Sequence, residues 1–315
     1  MPAETLVELQ AVGRQFGNVA AIQNLTIMVN RGELFGVIGP DGAGKTTLMR
    51  MIAAVLNPSQ GTITVGGNDT VAAAEAVKTM TGYMPQRFGL YADLSVQENL
   101  AFAADVFGIT GKLRRERMAQ LYTFSQLGPF KARPAGLLSG GMKKKLGLAT
   151  ALIHQPELLL LDEPTTGVDP LARRGFWDLL SNLHANGTTT IVTTPYMDEA
   201  ERCSRVVLLY EGQIIACDEP AAIKARVLGE VVTLEAKDMR AARRVLEEVK
   251  SILDLQPYGN RLNIIYDAEE AGAIDHIRTA LEDANIAITS LKSVPMRMEE
   301  AFTYLVNQHR LQETV

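Results

Sequence analysis

"GPDGAGKT", Gly39 to Thr46, decides the fold. It fits G-x-x-x-x-G-K-[ST] at every fixed position. The apolar stretch "ELFGVIG" ahead of it reads as a strand, and "KTTLMRMIAAVL" behind it has helical periodicity. A strand, a glycine-rich turn and a helix N-terminus in that order make an anion trap. Gly39, Gly42 and Gly44 let the backbone curl so that successive N–H groups face one point. The helix adds the positive end of its dipole. Lys45 sets a cation against the β- and γ-phosphates, and the Thr46 hydroxyl is suited to Mg2+. Pro40, Asp41, Ala43 and Thr47 complete the expected phosphate-binding segment.

A nucleotide site of this kind needs a carboxylate for its cation. "ELLLLDEP" is a continuous apolar run, as expected of a parallel strand covered on both faces, and it ends in Asp162 and Glu163. Asp162 fits the role of holding Mg2+ or its water, and Glu163 the role of polarising a water for attack on the γ-phosphate. Two acids at a strand end are otherwise unremarkable surface groups. Beside a phosphate loop they read as catalytic.

"LLSGGMKKKLGLA", Leu137 to Ala149, repeats the anion logic. Ser139 reads as an N-cap with Gly140 and Gly141 behind it and a long helix following. One chain has one nucleotide to bind here. A second capture point makes sense if it caps a γ-phosphate held by another subunit.

With these motifs in order, residues 5 to 225 resemble the ATP-binding subunits of ABC transporters. The resemblance implies ATP and Mg2+ as ligands, and a head-to-tail dimer with two ATPs sandwiched between phosphate loop and opposite signature. It implies that Phe16 in "RQFG" stacks on adenine. Gln86 in "GYMPQ" matches the glutamine that contacts Mg2+ and water and senses the membrane partner. Ser139, Gly140 and Gly141 match the signature, Asp162 and Glu163 the metal carboxylate and catalytic base, and Asp169 in "TTGVDP" the loop that couples two subunits. "LSGGM", "LDEPTTGVDP" and the ending "VPMRMEEAFTYL" are similar to the drug-resistance exporter branch, whose ATPase pairs with separate integral permease subunits. The partner cassette is then a second copy or a related ATPase. The implied location is the cytoplasm, peripheral on the inner face of the plasma membrane.

Composition is ordinary for a soluble globular protein. The chain has 315 residues, 47% hydrophobic and 21% charged, with net charge −5. No long basic block marks a nucleic-acid surface. Apolar runs such as Leu158 to Leu161 fall far short of the roughly 20 residues of a membrane span. The opening "MPAETLVELQ" lacks the basic and apolar regions of a secretion signal. Cys203 and Cys217 form no CxxC pair or disulfide framework and read as incidental thiols.

The pattern predicts an α/β P-loop NTPase domain over 1–220, with a helical signature insertion over 87–150. Near Pro220 the style changes. The strand "VVTLEA", the helix "DMRAARRVLEEVKSI", a hairpin around Gly259-Asn260, the helix "AGAIDHIRTALEDAN" and the strand "IAITSLKSV" follow β-α-β-β-α-β order. That is a ferredoxin-like accessory module over 229–315, closed by a last helix from Arg297 to His309.

One position departs from the family pattern. In "TTTIVTTPYMDEAERC" Pro195 stands where the family usually has a histidine that contacts the γ-phosphate. Proline offers neither donor nor charge. Thr194 reads as an N-cap and Pro195 as the first helical residue, so the fold is served while the chemistry loses a member. Two readings follow: hydrolysis that is slower but intrinsic, or a regulatory subunit that binds ATP with weak or no turnover. Retention of Glu163 favours the first.

Lys143 to Lys145 read as a solvated helix face, the four histidines as surface or packing residues, and Phe176 and Trp177 as core. A chromosome-maintenance ATPase would carry a long coiled-coil insertion before the signature, and the chain has no sustained heptads. A translation factor of the superfamily would hold two ATP-binding halves, and here one set of motifs is present.

Overall fold

The computed structural model describes residues 4–87, 89–270 and 272–313. The first residues of the opening stretch, and Phe88 in the predicted insertion, lie outside the described residues, as do Ala271, Thr314 and Val315 in the predicted C-terminal module. The chain forms two compact units, one ending at Cys217 and the other beginning at Asp218.

In the first unit the strands are β1 Thr5–Phe16, β2 Val19–Asn30, β3 Leu34–Ile38, β4 Gln60–Val65, β5 Asn68–Asp69, β6 Thr81–Met84, β7 Leu158–Asp162, β8 Thr189–Thr194, β9 Arg205–Tyr210 and β10 Gln213–Asp218. The helices are α1 Lys45–Ile52, α2 Ala74–Met80, α3 Val96–Val106, α4 Gly111–Ser125, α5 Gly140–Leu152, α6 Pro170–Ala185 and the short α7 Met197–Ala200. One sheet, in order β2-β1-β4-β5, is antiparallel. The other runs β10-β9-β3-β8-β7-β6, with β6, β7, β8, β3 and β9 parallel.

Every residue of β3 and β7 is buried, which explains their unbroken apolar sequences. The main core lies between the two sheets and encloses Leu48, Met49 and Ile52 of α1 with Leu9, Ile63, Leu158 and Leu160. Helices α3, α4 and α5 form a separate core around Leu100, Leu121 and Leu146.

Parallel strands deliver their carboxyl ends to one edge, where open α/β sheets bind ligands. β3 leads there into the phosphate loop, β7 into Asp162, β8 into Pro195, and β6 into Gln86.

The second unit has α8 Pro220–Ala225, β11 Glu230–Ala236, α9 Met239–Leu246, β12 Ile252–Tyr258, β13 Arg261–Tyr266, α10 Ala273–Asp283, β14 Ile288–Val294 and α11 Met298–Glu313. Its antiparallel sheet has the order β12-β13-β11-β14. That is the ferredoxin-like order, with the two central strands coming from different βαβ halves. Leu246 of α9 and Ile277 of α10 pack on Leu234 and Ile264 of the sheet.

"RVVLLYEGQII" forms two strands, because Glu211 at φ 47° and Gly212 at φ 77° turn the chain between β9 and β10. One boundary differs from the sequence reading. Helix α1 stops at Ile52, and Ala54 at φ 52° carries the chain out of helical geometry.

Candidate functional site: a phosphate cradle at the sheet edge

Gly44 caps α1 at φ 102°, and no side chain caps the helix. Its first-turn N–H groups are therefore presented to an anion. A Cβ at Gly44 would stand 2.5 Å from the Ala21 carbonyl oxygen on β2, so glycine is required by close approach as well as by φ. A cavity of about 340 Å³ opens in front of the loop. Asp41, Gly42, Gly44, Lys45, Thr46 and Thr47 line it, with Ala21, Gln86 and Glu163 opposite. Gly39 and Pro40 support it from behind, each giving its carbonyl oxygen to Lys45 Nζ at 2.9 Å. Ala43 is buried and donates its N–H to Pro40 O at 3.2 Å, which tightens the turn.

Lys45 and Glu163 are each 4% exposed and pair at 3.2 Å. Glu163 Oε2 accepts from Gln86 Nε2 at 2.8 Å and from the Thr166 hydroxyl at 3.2 Å. The backbone of Glu163 is left-handed, at φ 48°. A non-glycine residue there costs about 1–3 kcal/mol and persists where neighbours over-determine it. Here its N–H donates to Thr193 Oγ1 at 2.8 Å, and its carbonyl accepts from Lys144 Nζ at 3.1 Å.

Asp162 is fully buried. Its Oδ1 accepts from Thr46 Oγ1 at 3.1 Å and Thr193 Oγ1 at 2.8 Å, while Oδ2 is buried with no hydrogen-bond partner. Burial raises its pKa above the usual value, with the two threonine hydrogen bonds pulling the other way. Tyr83 on β6 has its hydroxyl pushed up to about 12, first by burial and then by the Asp162 charge. An unpartnered buried carboxylate oxygen beside a hydroxyl is what a hard divalent cation needs. Thr46 and Asp162 therefore fit Mg2+, with the oxygen of the Gln86 amide as a third candidate.

The signature is built as read, but elsewhere. Ser139 caps α5 and accepts from Met142 N at 3.3 Å. Ser139, Gly140 and Gly141 do not line the cradle. Gly141 abuts α6, where a Cβ would meet Ala172 Cβ at 2.6 Å. Asp169 caps α6, accepting from Leu171 N at 3.1 Å and Ala172 N at 2.9 Å. Phe16 lies at the β1–β2 turn, 45% exposed, with the Arg14 guanidinium 4.5 Å from its ring centroid. It does not line the cradle either.

Two expectations are corrected. The lysine run is not a uniformly solvated face, because Lys144 is 4% exposed. It shares a buried stripe with Leu148 and Ala151 at i+4 and i+7, and that periodicity was the available signal. Thr194 does not cap a helix starting at Pro195. Helix α7 begins at Met197, and Thr194 Oγ1 instead donates to Glu199 Oε2 at 2.6 Å and accepts from Tyr196 N at 3.1 Å. Glu199 is buried, and its Oε2 also accepts from Thr165 Oγ1 at 3.0 Å. Arg173 reaches Asp198 and lies 4.9 Å from the Tyr196 ring centroid. The Pro195 loop is thus tied at both ends, through Thr194 and through Glu199 and Arg173.

The family described as ABC transporter matches residues 22–166. The chain is 39% identical over 308 residues to the probable multidrug ABC transporter ATP-binding protein YbhF of Escherichia coli (strain K12), covering 96% of this chain and 52% of that protein. It therefore spans about half the length of that relative. It is 37% identical over 239 residues to the Nod factor export ATP-binding protein I of Burkholderia orbicola (strain AU 1054), covering 75% of this chain and 79% of that one. Among solved structures, an ATP-binding subunit of an ABC transporter superposes with TM-score 0.64 at 27% identity, over 70% of this chain and 92% of that one. The dimeric MJ0796 cassette bound to ADP and Pi shares the fold, with TM-score 0.63 at 24% identity over 68% of this chain and 98% of that one. Sheet-edge cradle, paired carboxylates, displaced signature and these likenesses agree: the chain belongs to the ABC transporter family, as an ATP-binding cassette.

Proposed function

We propose that the chain binds and hydrolyses ATP to power export through separate integral membrane subunits, working as a dimer of cassettes. The observation that carries this reading is the separation of the signature from the cradle. Ser139, Gly140 and Gly141 form an anion-capturing helix start that the chain's own nucleotide cavity does not include. A second cassette is the partner that brings such a helix start to the γ-phosphate. Both relatives are named as ATP-binding proteins of export or multidrug systems. Among the described residues no helix is long and apolar enough to cross a membrane.

In this reading the α1 N-terminus and Lys45 hold the β- and γ-phosphates. Thr46, Asp162 and Gln86 would hold Mg2+, which would supply charge neutralisation of the phosphate oxygens. Glu163 takes a proton from water as the water oxygen bonds to the γ-phosphorus. The bond from that phosphorus to the β-phosphate oxygen breaks, giving ADP and phosphate. Gln86 and Thr166 orient the carboxylate. Pro195 contributes no donor, so turnover is slower than with a donor there, by as much as roughly 10²–10³. A purely regulatory role is not favoured, because Glu163 is retained and fully supported. Phe16 is the candidate for adenine stacking and Asp169 for the inter-cassette loop. The work site is the cytoplasmic membrane face.

The test is steady-state ATPase of the purified chain. Activity that vanishes in Glu163→Gln supports the reading. Activity unchanged by that substitution overturns it.

A further inference from the structure

Lys144 is hard to explain as a stabilising residue. Its ammonium is buried, and burial is the largest influence on it, lowering its pKa against the favourable charges of Glu163 and Asp162. An apolar side chain in the same stripe would fill that space at lower cost. What the lysine adds is a specific contact: Nζ donates to the main-chain oxygen of Glu163 at 3.1 Å. Glu163 is the residue with the strained backbone, at φ 48°, and on the other side of its Cα its N–H donates to Thr193 Oγ1. Thr193 in turn donates to Asp162, so one chain of contacts runs from α5 to both site carboxylates.

Lys144 also sits on the helix whose N-cap is Ser139. Five residues separate them, about 7.5 Å along the axis. Helix α5 packs on α3 and α4 of the helical region and also on β6 and α6, and Glu163 directly follows β7 of the core sheet. Lys144 is thus a direct bond from the signature helix to the peptide of the proposed base.

We propose that Lys144 is a positioning residue, through which the signature helix of a cassette sets the geometry of that cassette's own Glu163. The proposal rests on the two-cassette reading above. When Ser139 and its glycines engage a γ-phosphate on the partner, α5 is fixed, and Lys144 fixes the peptide that aims Glu163. Each cassette's catalysis then depends on nucleotide at both interfaces.

The test uses Lys144→Met, which keeps the stem and removes the donor, and Lys144→Gln, which keeps an N–H donor without charge. ATPase kinetics and calorimetric ATP affinity are measured on the full chain, and sedimentation with Mg-ATP on Glu163→Gln with and without Lys144→Met. We expect Lys144→Met to lower kcat about tenfold with KM and ATP affinity within twofold, and Lys144→Gln to recover most of that loss. We also expect Lys144→Met/Glu163→Gln to dimerise as Glu163→Gln does. An unchanged kcat in Lys144→Met, a loss carried by KM or by weaker binding, or a Lys144→Gln as slow as Lys144→Met overturns the proposal. If Glu163→Gln alone stays monomeric, the two-cassette reading has failed, independently of Lys144.

Discussion

Lys45 Nζ lies 3.2 Å from Glu163 Oε1, both side chains buried, so the proposed phosphate-binding cation and the proposed base neutralise each other. A γ-phosphate is a rival anion for Lys45. Nucleotide binding then exchanges one ion pair for another and leaves the Glu163 carboxylate available to water.

This exchange predicts that Glu163→Gln binds ATP more tightly than the unaltered chain, because the competing charge is gone. The expected gain is about tenfold in Kd, or ~1.4 kcal/mol. Titration calorimetry measures it, and equal or weaker binding in Glu163→Gln would show that the pair does not compete.

Asp162 gives a pH-dependent prediction. Burial raises its folded-state pKa above the ordinary 3.8. A raised value means that its contribution to stability is full below the ordinary value and is lost as pH rises through the folded one. At neutral pH the ionised group therefore costs stability in the nucleotide-free protein. Asp162→Asn keeps an acceptor for Thr46 and Thr193 and removes the charge. Its Tm without nucleotide should exceed that of the unaltered chain near pH 7, with the gap closing toward about pH 4. Mg-ATP should raise the Tm of the unaltered chain and not that of the variant. An Asp162→Asn protein less stable across the whole range would contradict this.

The two signature glycines should separate fold from function. A Cβ at Gly140 meets only the Gly167 carbonyl oxygen, at an ordinary 3.7 Å, whereas one at Gly141 meets Ala172 Cβ at 2.6 Å. Gly141→Ala should cost ~1–3 kcal/mol through overpacking against α6. Gly140→Ala should leave Tm nearly unchanged, yet weaken Mg-ATP-driven association by crowding the N–H groups that take the phosphate. Thermal denaturation and sedimentation of the pair decide it, and equal stability of the two variants would refute the packing argument.

Much of the candidate site was legible in sequence because the proposed anion capture is local chemistry. Gly39 to Thr46, Ser139 to Gly141, and Asp162 with Glu163 each carry their meaning within a few residues of a strand or helix end. The ferredoxin-like order also followed from alternating patterns, since each helix face and strand face is coded locally. Lys144, Thr193 and Glu199 were not legible, because their roles depend on which element packs beside them. A lysine within "KKK" looks solvated until α5 meets the end of β7. Thr194 looks like a helix cap until the buried Glu199 claims its hydroxyl.

The proposed slow turnover gives a prediction at Pro195. It follows β8 directly at the carboxyl edge, and the loop around it is held by Thr194, Glu199 and Arg173. Pro195→His restores a donor there, and kcat should rise, by up to about 10². No rise, with ATP affinity intact, would show that this position does not face the phosphate.

The central claim is that ATP joins two cassettes, each completing the other's site with Ser139, Gly140 and Gly141. Sedimentation velocity of Glu163→Gln with saturating Mg-ATP tests it most directly. The account predicts a dimer that requires nucleotide and disappears when Lys45 is replaced by alanine. A species that stays monomeric under those conditions would contradict it.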